Sequence, residues 1–330
     1  MAVDPWALRR RFSPVLPFSI GAFSLLHKNK RLPGRYPEGA ILADTRDLSK
    51  SMKIRTHPNK WQGTVSVITG GSSGIGLAAA HWLAARGSHI WLIARGKEAL
   101  ADAYESLPRQ PGQICGTVTA DVSDPNQVAA AVEHITVESG NPDLLINSAG
   151  ATRPGYVQEL SLDIFRWLMD VNYFGTVHMT KAVLPQMISR GSGHIVNISS
   201  VAGFIGVFGY TAYGASKFAV RGFSDALREE LKPLGIKVSI AYPPDTETPQ
   251  LFQEIPYRPE EQKALNAIPP LKPDEVAHEI LQGVSRGKYV ILPGRQTKLI
   301  YFLSHVLNPA VNPVMDWLIA RSMKKAKRRR

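Results

Sequence analysis

With 330 residues, 44% hydrophobic and 20% charged, the chain can bury a sizeable core, and its composition excludes fibrous and low-complexity classes. A single cysteine, Cys115, excludes an internal disulfide and a cysteine-built metal site and fits a reducing compartment; the nine histidines show no zinc-ligand spacing, so no metal is expected. The net charge of +12 divides unevenly: residues 1–60 and 295–330 carry +8 each, and residues 61–294 carry −4, which points away from nucleic acid and toward an anionic membrane surface.

In chain order, residues 1–60 form a basic N-terminal extension rich in Pro and Arg. Its apolar patch from Phe12 to Leu26 follows Arg9–Arg11 and is too short and proline-broken to span a bilayer. It reads either as a flexible leader, with Met52 as an alternative start, or as a peripheral anchor. From residue 61 to 294, "TVSVIT", "SHIWLIA", "ICGTVTA", "DLLINSA", "SGHIVNIS", "IKVSIA" and "KYVIL" predict seven short strands. Helical stretches such as "PNQVAAAVEHITVESG" alternate with them. The expected fold is α/β: a Rossmann-type, doubly wound, mainly parallel seven-stranded sheet with helices on both faces. Residues 295–330 are apolar, interrupted by two Asn-Pro pairs, and end in a cationic run. A short helix from Pro313 to Met323 with this tail suits an interfacial membrane contact, or packing on the body or on another subunit in a homo-oligomer.

"TGGSSGIG", Thr69 to Gly76, joins the first strand to an Ala-rich helix. Gly70, Gly74 and Gly76 fall where the backbone must turn tightly for a pyrophosphate to approach the helix N-terminus, and Ser72 and Ser73 offer hydroxyl donors. The second strand ends in Ala94-Arg95, where a carboxylate would hold the ribose hydroxyls of NAD. Arg95 in its place favours the 2′-phosphate of NADPH, unless it is simply a solvated surface charge.

"YGASK" sets Tyr213 and Lys217 four apart on one helix face. A free phenol ionises near pH ~10, so an adjacent ammonium is expected to lower it toward proton transfer at neutrality. Ser200 ends the "NISS" strand, where it can donate to a carbonyl oxygen. Asn172 is polar inside an apolar helix. Singly, each has an ordinary structural explanation; together, in this order, they point to catalysis.

These stretches resemble the short-chain dehydrogenase/reductase superfamily across roughly 61–294. The resemblance implies that Tyr213 gives a proton to a carbonyl, Ser200 orients the substrate, Lys217 tunes Tyr213 and binds the nicotinamide ribose, and Asn172 supports a water relay. It further implies cofactor contacts from Ile75, from Asp121 and Val122 beside the adenine, from Asn147, and from Thr248 near the nicotinamide. Ser148 departs from the family's second Asn. After the sixth strand, "YPPDTETP" replaces the usual Pro-Gly and looks like the corresponding stretch of 3-ketodihydrosphingosine reductases, as do "GYTAYGASKFAVRG" and "KPDEVAHEI". That likeness implies NADPH-dependent reduction of a long-chain sphingoid ketone at the cytosolic face of a membrane. The alternatives are another lipophilic ketone (steroid, retinoid or acyl chain) or an NADP-binding scaffold without turnover.

Overall fold

The computed structural model describes residues 60–265 and 269–306, with Pro313, Asp316, Ala320 and Arg321 beyond them. The Phe12–Leu26 patch lies outside the described residues. So does the Pro313–Met323 helix, apart from those four positions, each of which is helical and exposed.

The first half of the sheet alternates β1 (Val65–Thr69), α1 (Gly74–Ala84), β2 (His89–Ala94), α2 (Lys97–Ser106), β3 (Cys115–Thr119) and α3 (Pro125–Ser139). The second half begins with β4 (Leu144–Asn147), α4 (Leu162–Leu168), a π-helical turn Met169–Phe174, and α5 (Gly175–Arg190). Then come β5 (Gly193–Ile198), α6 (Thr211–Leu231), β6 (Ile236–Ala241), α7 (Pro249–Glu254), α8 (Glu260–Leu265) and α9 (Pro273–Ser285), followed by β7 (Val290–Ile291) and α10 (Arg295–Val306). All seven expected strands form, shortened at their ends. The strand order is β3-β2-β1-β4-β5-β6-β7, and every pairing is parallel.

Alternation along the strands assigns their side chains to two cores. Ile68, Ile90, Leu92 and Ile146 face α1 and α9, where Leu83, Val276 and Leu281 are fully enclosed. Val67, Trp91, Ile93 and Leu145 face the other way, onto Val128, Ile135, Met179 and Val183 of α3 and α5. Strands covered on both faces become nearly continuous apolar runs, which is why they were legible in the sequence. The order reverses between β1 and β4, and at such a switch point the carboxyl ends of the strands open a crevice. Local signals fix the helix starts around it. Asp124 caps α3 by accepting from the backbone N–H of Asn126 and Gln127, with Pro125 at the first helical position.

Candidate active site

The crevice is a cavity of about 650 Å³ running from the β1–α1 turn to α7 and α10. At one end, Thr69 Oγ1 accepts from the backbone N–H of Ser148 (3.1 Å) and Ala149 (3.0 Å), tying β1 to the loop after β4. Gly74 has φ 54°, and a Cβ there would lie 2.9 Å from Thr248 Cγ2. A Cβ on Gly76 would strike the carbonyl oxygen of Gly70, so the turn closes only with glycine at both positions. Ser73 precedes α1 in extended backbone and its side chain makes no capping bond. The first N–H groups of α1 and this hydroxyl therefore face a place suited to an anion.

Twelve of the expected residues line the cavity: Gly70, Ser72, Ser73, Gly74, Ile75, Arg95, Asp121, Val122, Ser200, Tyr213, Lys217 and Thr248. Arg95 is 65% exposed and its Nη1 stands 3.8 Å from Asp121 Oδ2, a loose pair that leaves the guanidinium reachable. Thr248 caps α7 through Leu251 N (3.3 Å) and abuts the glycine turn.

Gly76, Asn147 and Asn172 do not reach the cavity wall. Asn147 is buried, and its Nδ2 donates to Asn197 Oδ1 (2.9 Å), whose own Nδ2 donates to Ser224 Oγ (2.8 Å). Its side chain thus belongs to a polar relay linking β4, β5 and α6. Asn172 sits in the π-helical turn, which swings its amide toward the loop after β4. There it accepts from Ala151 N (2.8 Å) and donates to Ala151 O (3.0 Å) and Ser216 Oγ (2.8 Å). A Cβ on Gly150 would lie 3.2 Å from Asn172 Oδ1 and 3.4 Å from Lys217 Nζ, so both groups converge on that residue.

Tyr213 and Lys217 are both buried on α6. Lys217 Nζ donates to Ile198 O (3.0 Å) and lies 5.7 Å from the Tyr213 ring centre. The electrostatics run against the sequence expectation that Lys217 would lower the phenol. Burial raises the Tyr213 phenol well above its usual value, the nearby Glu254 charge raises it further, and hydrogen bonds with Ser200 and Gln250 pull back only part of the way. Burial also lowers Lys217, to about 8. The phenol therefore stays protonated at neutral pH, so a proton is there to give when charge grows on a nearby oxygen. Reduction should lose rate as pH rises through about 8, because the Lys217 ammonium is neutralised there. A pH–rate profile that stays flat from about pH 7 to about pH 9.5 would exclude a role for that charge.

The "YPPDTETP" loop forms one wall. Pro243 O accepts from Val201 N (3.1 Å), while Asp245 O accepts from Leu271 N (3.0 Å) and Glu247 N donates to Leu271 O (2.9 Å). Pro243 and Pro244 line the cavity directly. Sequence reading missed Gln250 and Glu254, four apart on α7 and both on this wall. Their i,i+4 spacing directly after the loop was the available signal.

The family profile described as short chain dehydrogenase matches residues 64–256. The chain belongs to the short-chain dehydrogenase family. It is an oxidoreductase, and its family works with a nicotinamide dinucleotide. A 3-ketodihydrosphingosine reductase of Mus musculus is 38% identical, over 72% of this chain and 73% of that protein. A 3-dehydrosphinganine reductase of Danio rerio is 36% identical, over 78% and 80%. Dehydrogenase/reductase SDR family member 7B of Danio rerio is 40% identical over a shorter span, 58% of this chain and 63% of that protein. Among solved structures, a short chain dehydrogenase/reductase of Burkholderia phymatum in complex with NAD matches with TM-score 0.66 and 28% identity, over 74% of this chain and 94% of that one.

Proposed function

We propose that this chain reduces the C3 ketone of 3-ketodihydrosphingosine to dihydrosphingosine with NADPH, at the cytosolic face of a membrane. The chemistry rests on one observation: the buried Tyr213 and Lys217, with Nζ 5.7 Å from the phenol ring, line the same cavity as Ser200 and the glycine turn. The substrate reading rests on relatives of that name matching over most of both chains.

A phosphorylated dinucleotide fits the residues present: the glycine turn with Ser72 and Ser73 for the pyrophosphate, and the exposed Arg95 for a 2′-phosphate. Once bound, it supplies the hydride to the carbonyl carbon. Tyr213 donates its proton to the carbonyl oxygen, and the Ser200 hydroxyl hydrogen-bonds the same oxygen as charge grows there. Lys217 holds positive charge beside the phenol. Asn172 fixes the backbone at Ala151 and, with Lys217, packs beside Gly150, from where it supports a water relay that returns a proton to Tyr213. Arg95→Glu should cut NADPH preference over NADH by about 10- to 100-fold, since a charge-assisted phosphate bond is lost and a repulsion added. Equal preference before and after would remove Arg95 from the ribose site.

We further propose three parts: a basic extension (1–60), a reductase body (61–294), and a C-terminal segment (295–330) contacting the membrane surface. No helix among the described residues is long and apolar enough to cross a bilayer. On α10, Gln296 and Ile300 line the cavity while Leu299, Phe302 and Leu303 are exposed at i, i+3 and i+4. One helix can thus touch both lipid and cavity mouth, a route for a single-tailed substrate. Phe302→Glu should weaken flotation with anionic liposomes several-fold; undiminished flotation would dismiss this face.

Another lipophilic ketone is the second reading, since a relative named only as a dehydrogenase/reductase, family member 7B, is 40% identical over a shorter span. Purified protein given NADPH and 3-ketodihydrosphingosine should yield dihydrosphingosine in step with NADPH loss. NADPH loss without that product would discard the substrate assignment.

A further inference from the structure

Two short elements rim the cavity and leave apolar side chains in the open. On α7, Leu251 and Glu254 line the cavity while Phe252, between them, is 62% exposed. The 3₁₀ turn that follows, Ile255–Tyr257, leaves Ile255 and Tyr257 exposed as well. On α10 the exposed residues are Leu299, Phe302 and Leu303. Pro249–Tyr257 and Arg295–Val306 are twenty-one residues, yet they carry six of the fifteen large apolar side chains exposed among the described residues. Apolar residues exposed singly are ordinary on a soluble surface; their concentration around one opening marks a contact face.

Leu271 holds the roots of both elements together. Its N–H donates to Asp245 O (3.0 Å) and its carbonyl accepts from Glu247 N (2.9 Å), just before α7. A Cβ on Gly294, just before α10, would lie 2.8 Å from Leu271 Cδ1. The two elements therefore start side by side. At the end of the α7 stretch, the Arg153 guanidinium stacks 3.3 Å from the centre of the Tyr257 ring. An aromatic ring carrying a cation suits the headgroup layer, where the ring meets acyl chains and the cation meets phosphate. The chain that continues from α10, residues 307–330, holds seven Lys/Arg against one Asp, a charge complementary to anionic lipid.

We infer that α7 with its 3₁₀ turn is a second membrane-contacting element, which together with α10 seats the cavity mouth on a phospholipid bilayer. This rests on the membrane reading of α10 and adds the surface that orients the site. With the mouth set in lipid, a long-chain ketone reaches Tyr213 without its tail crossing water. Each methylene moved from lipid into water would cost about fourfold in partitioning.

The test uses the full chain and vesicles of phosphatidylcholine with some phosphatidylserine, read by flotation and by kcat/KM with NADPH. The substrates are 3-ketodihydrosphingosine carried in the vesicles and a short-chain, water-soluble amino ketone. Phe252→Ser with Ile255→Ser should weaken flotation, and kcat/KM for the vesicle-borne ketone, by about tenfold or more, because two apolar side chains no longer enter lipid. The short-chain ketone should be reduced as before, since neither side chain lines the cavity. A double variant that keeps wild-type flotation and vesicle activity overturns this surface and leaves α10 standing. A wild-type chain that does not float overturns both. Weaker flotation of the variant, with neither ketone reduced by the wild type, supports the surface and discards the substrate reading. Should the double variant fail to fold or slow the short-chain reaction, Tyr257→Ser decides: weaker flotation supports the surface, and unchanged flotation overturns it.

Discussion

Tyr213→Phe should lower turnover by about 10²- to 10⁴-fold, the range for losing a positioned general acid, while NADPH still binds. The change removes one oxygen from a ring packed in a small cluster with Leu168, Ala202, Tyr210 and Ala212, so the fold around it has little reason to move. Ser200 remains in place to polarise a carbonyl but cannot supply the proton from its own ordinary hydroxyl. Cofactor affinity, read by fluorescence titration, should shift little because the glycine turn and Arg95 lie at the other end of the cavity. Turnover close to that of the wild type would remove Tyr213 from the reaction.

Arg258→Met should cost about 3–5 kcal/mol of stability, because it removes the buried guanidinium that pairs with the buried Glu254 carboxylate. Glu254 and the arginine are almost wholly enclosed, whereas Asp245 is 41% exposed and can regain water. Most of the penalty therefore falls on Glu254. The pair Arg258→Met with Glu254→Met should recover much of the loss, since it removes the buried carboxylate together with its partner, while Asp245 is exposed enough to stay hydrated. Urea midpoints of the three proteins decide it. A double variant as unstable as the single one would mean that Arg258 holds α7 and α8 by packing rather than by charge.

The sheet was legible because strands covered on both faces become apolar runs, and because one glycine turn sits between the first strand and the first helix. Tyr213 and Lys217 were legible for a similar local reason: one helical turn separates them. What the sequence hid depends on depth and on contacts across elements. Nothing in "YGASK" says that both side chains are buried, and burial reverses the expected shift of the phenol. Asn147 belongs to a recognisable stretch, yet its side chain turns inward to Asn197, a partner fifty residues away. The Asp245–Arg258–Glu254 cluster joins the loop after β6 to the chain beyond α7, thirteen residues apart. The double proline of that loop reads as a strand stop in sequence, and in the structure it forms part of the cavity wall.

The central claim is an amino-ketone reductase built on Tyr213, Ser200 and Lys217. Its most direct test is NADPH oxidation by the purified chain with 3-ketodihydrosphingosine, a steroid ketone and an acyl ketone side by side. The expected result is the highest kcat/KM for 3-ketodihydrosphingosine, abolished by Tyr213→Phe. A higher value for the steroid or acyl ketone, or activity that survives Tyr213→Phe, would contradict it.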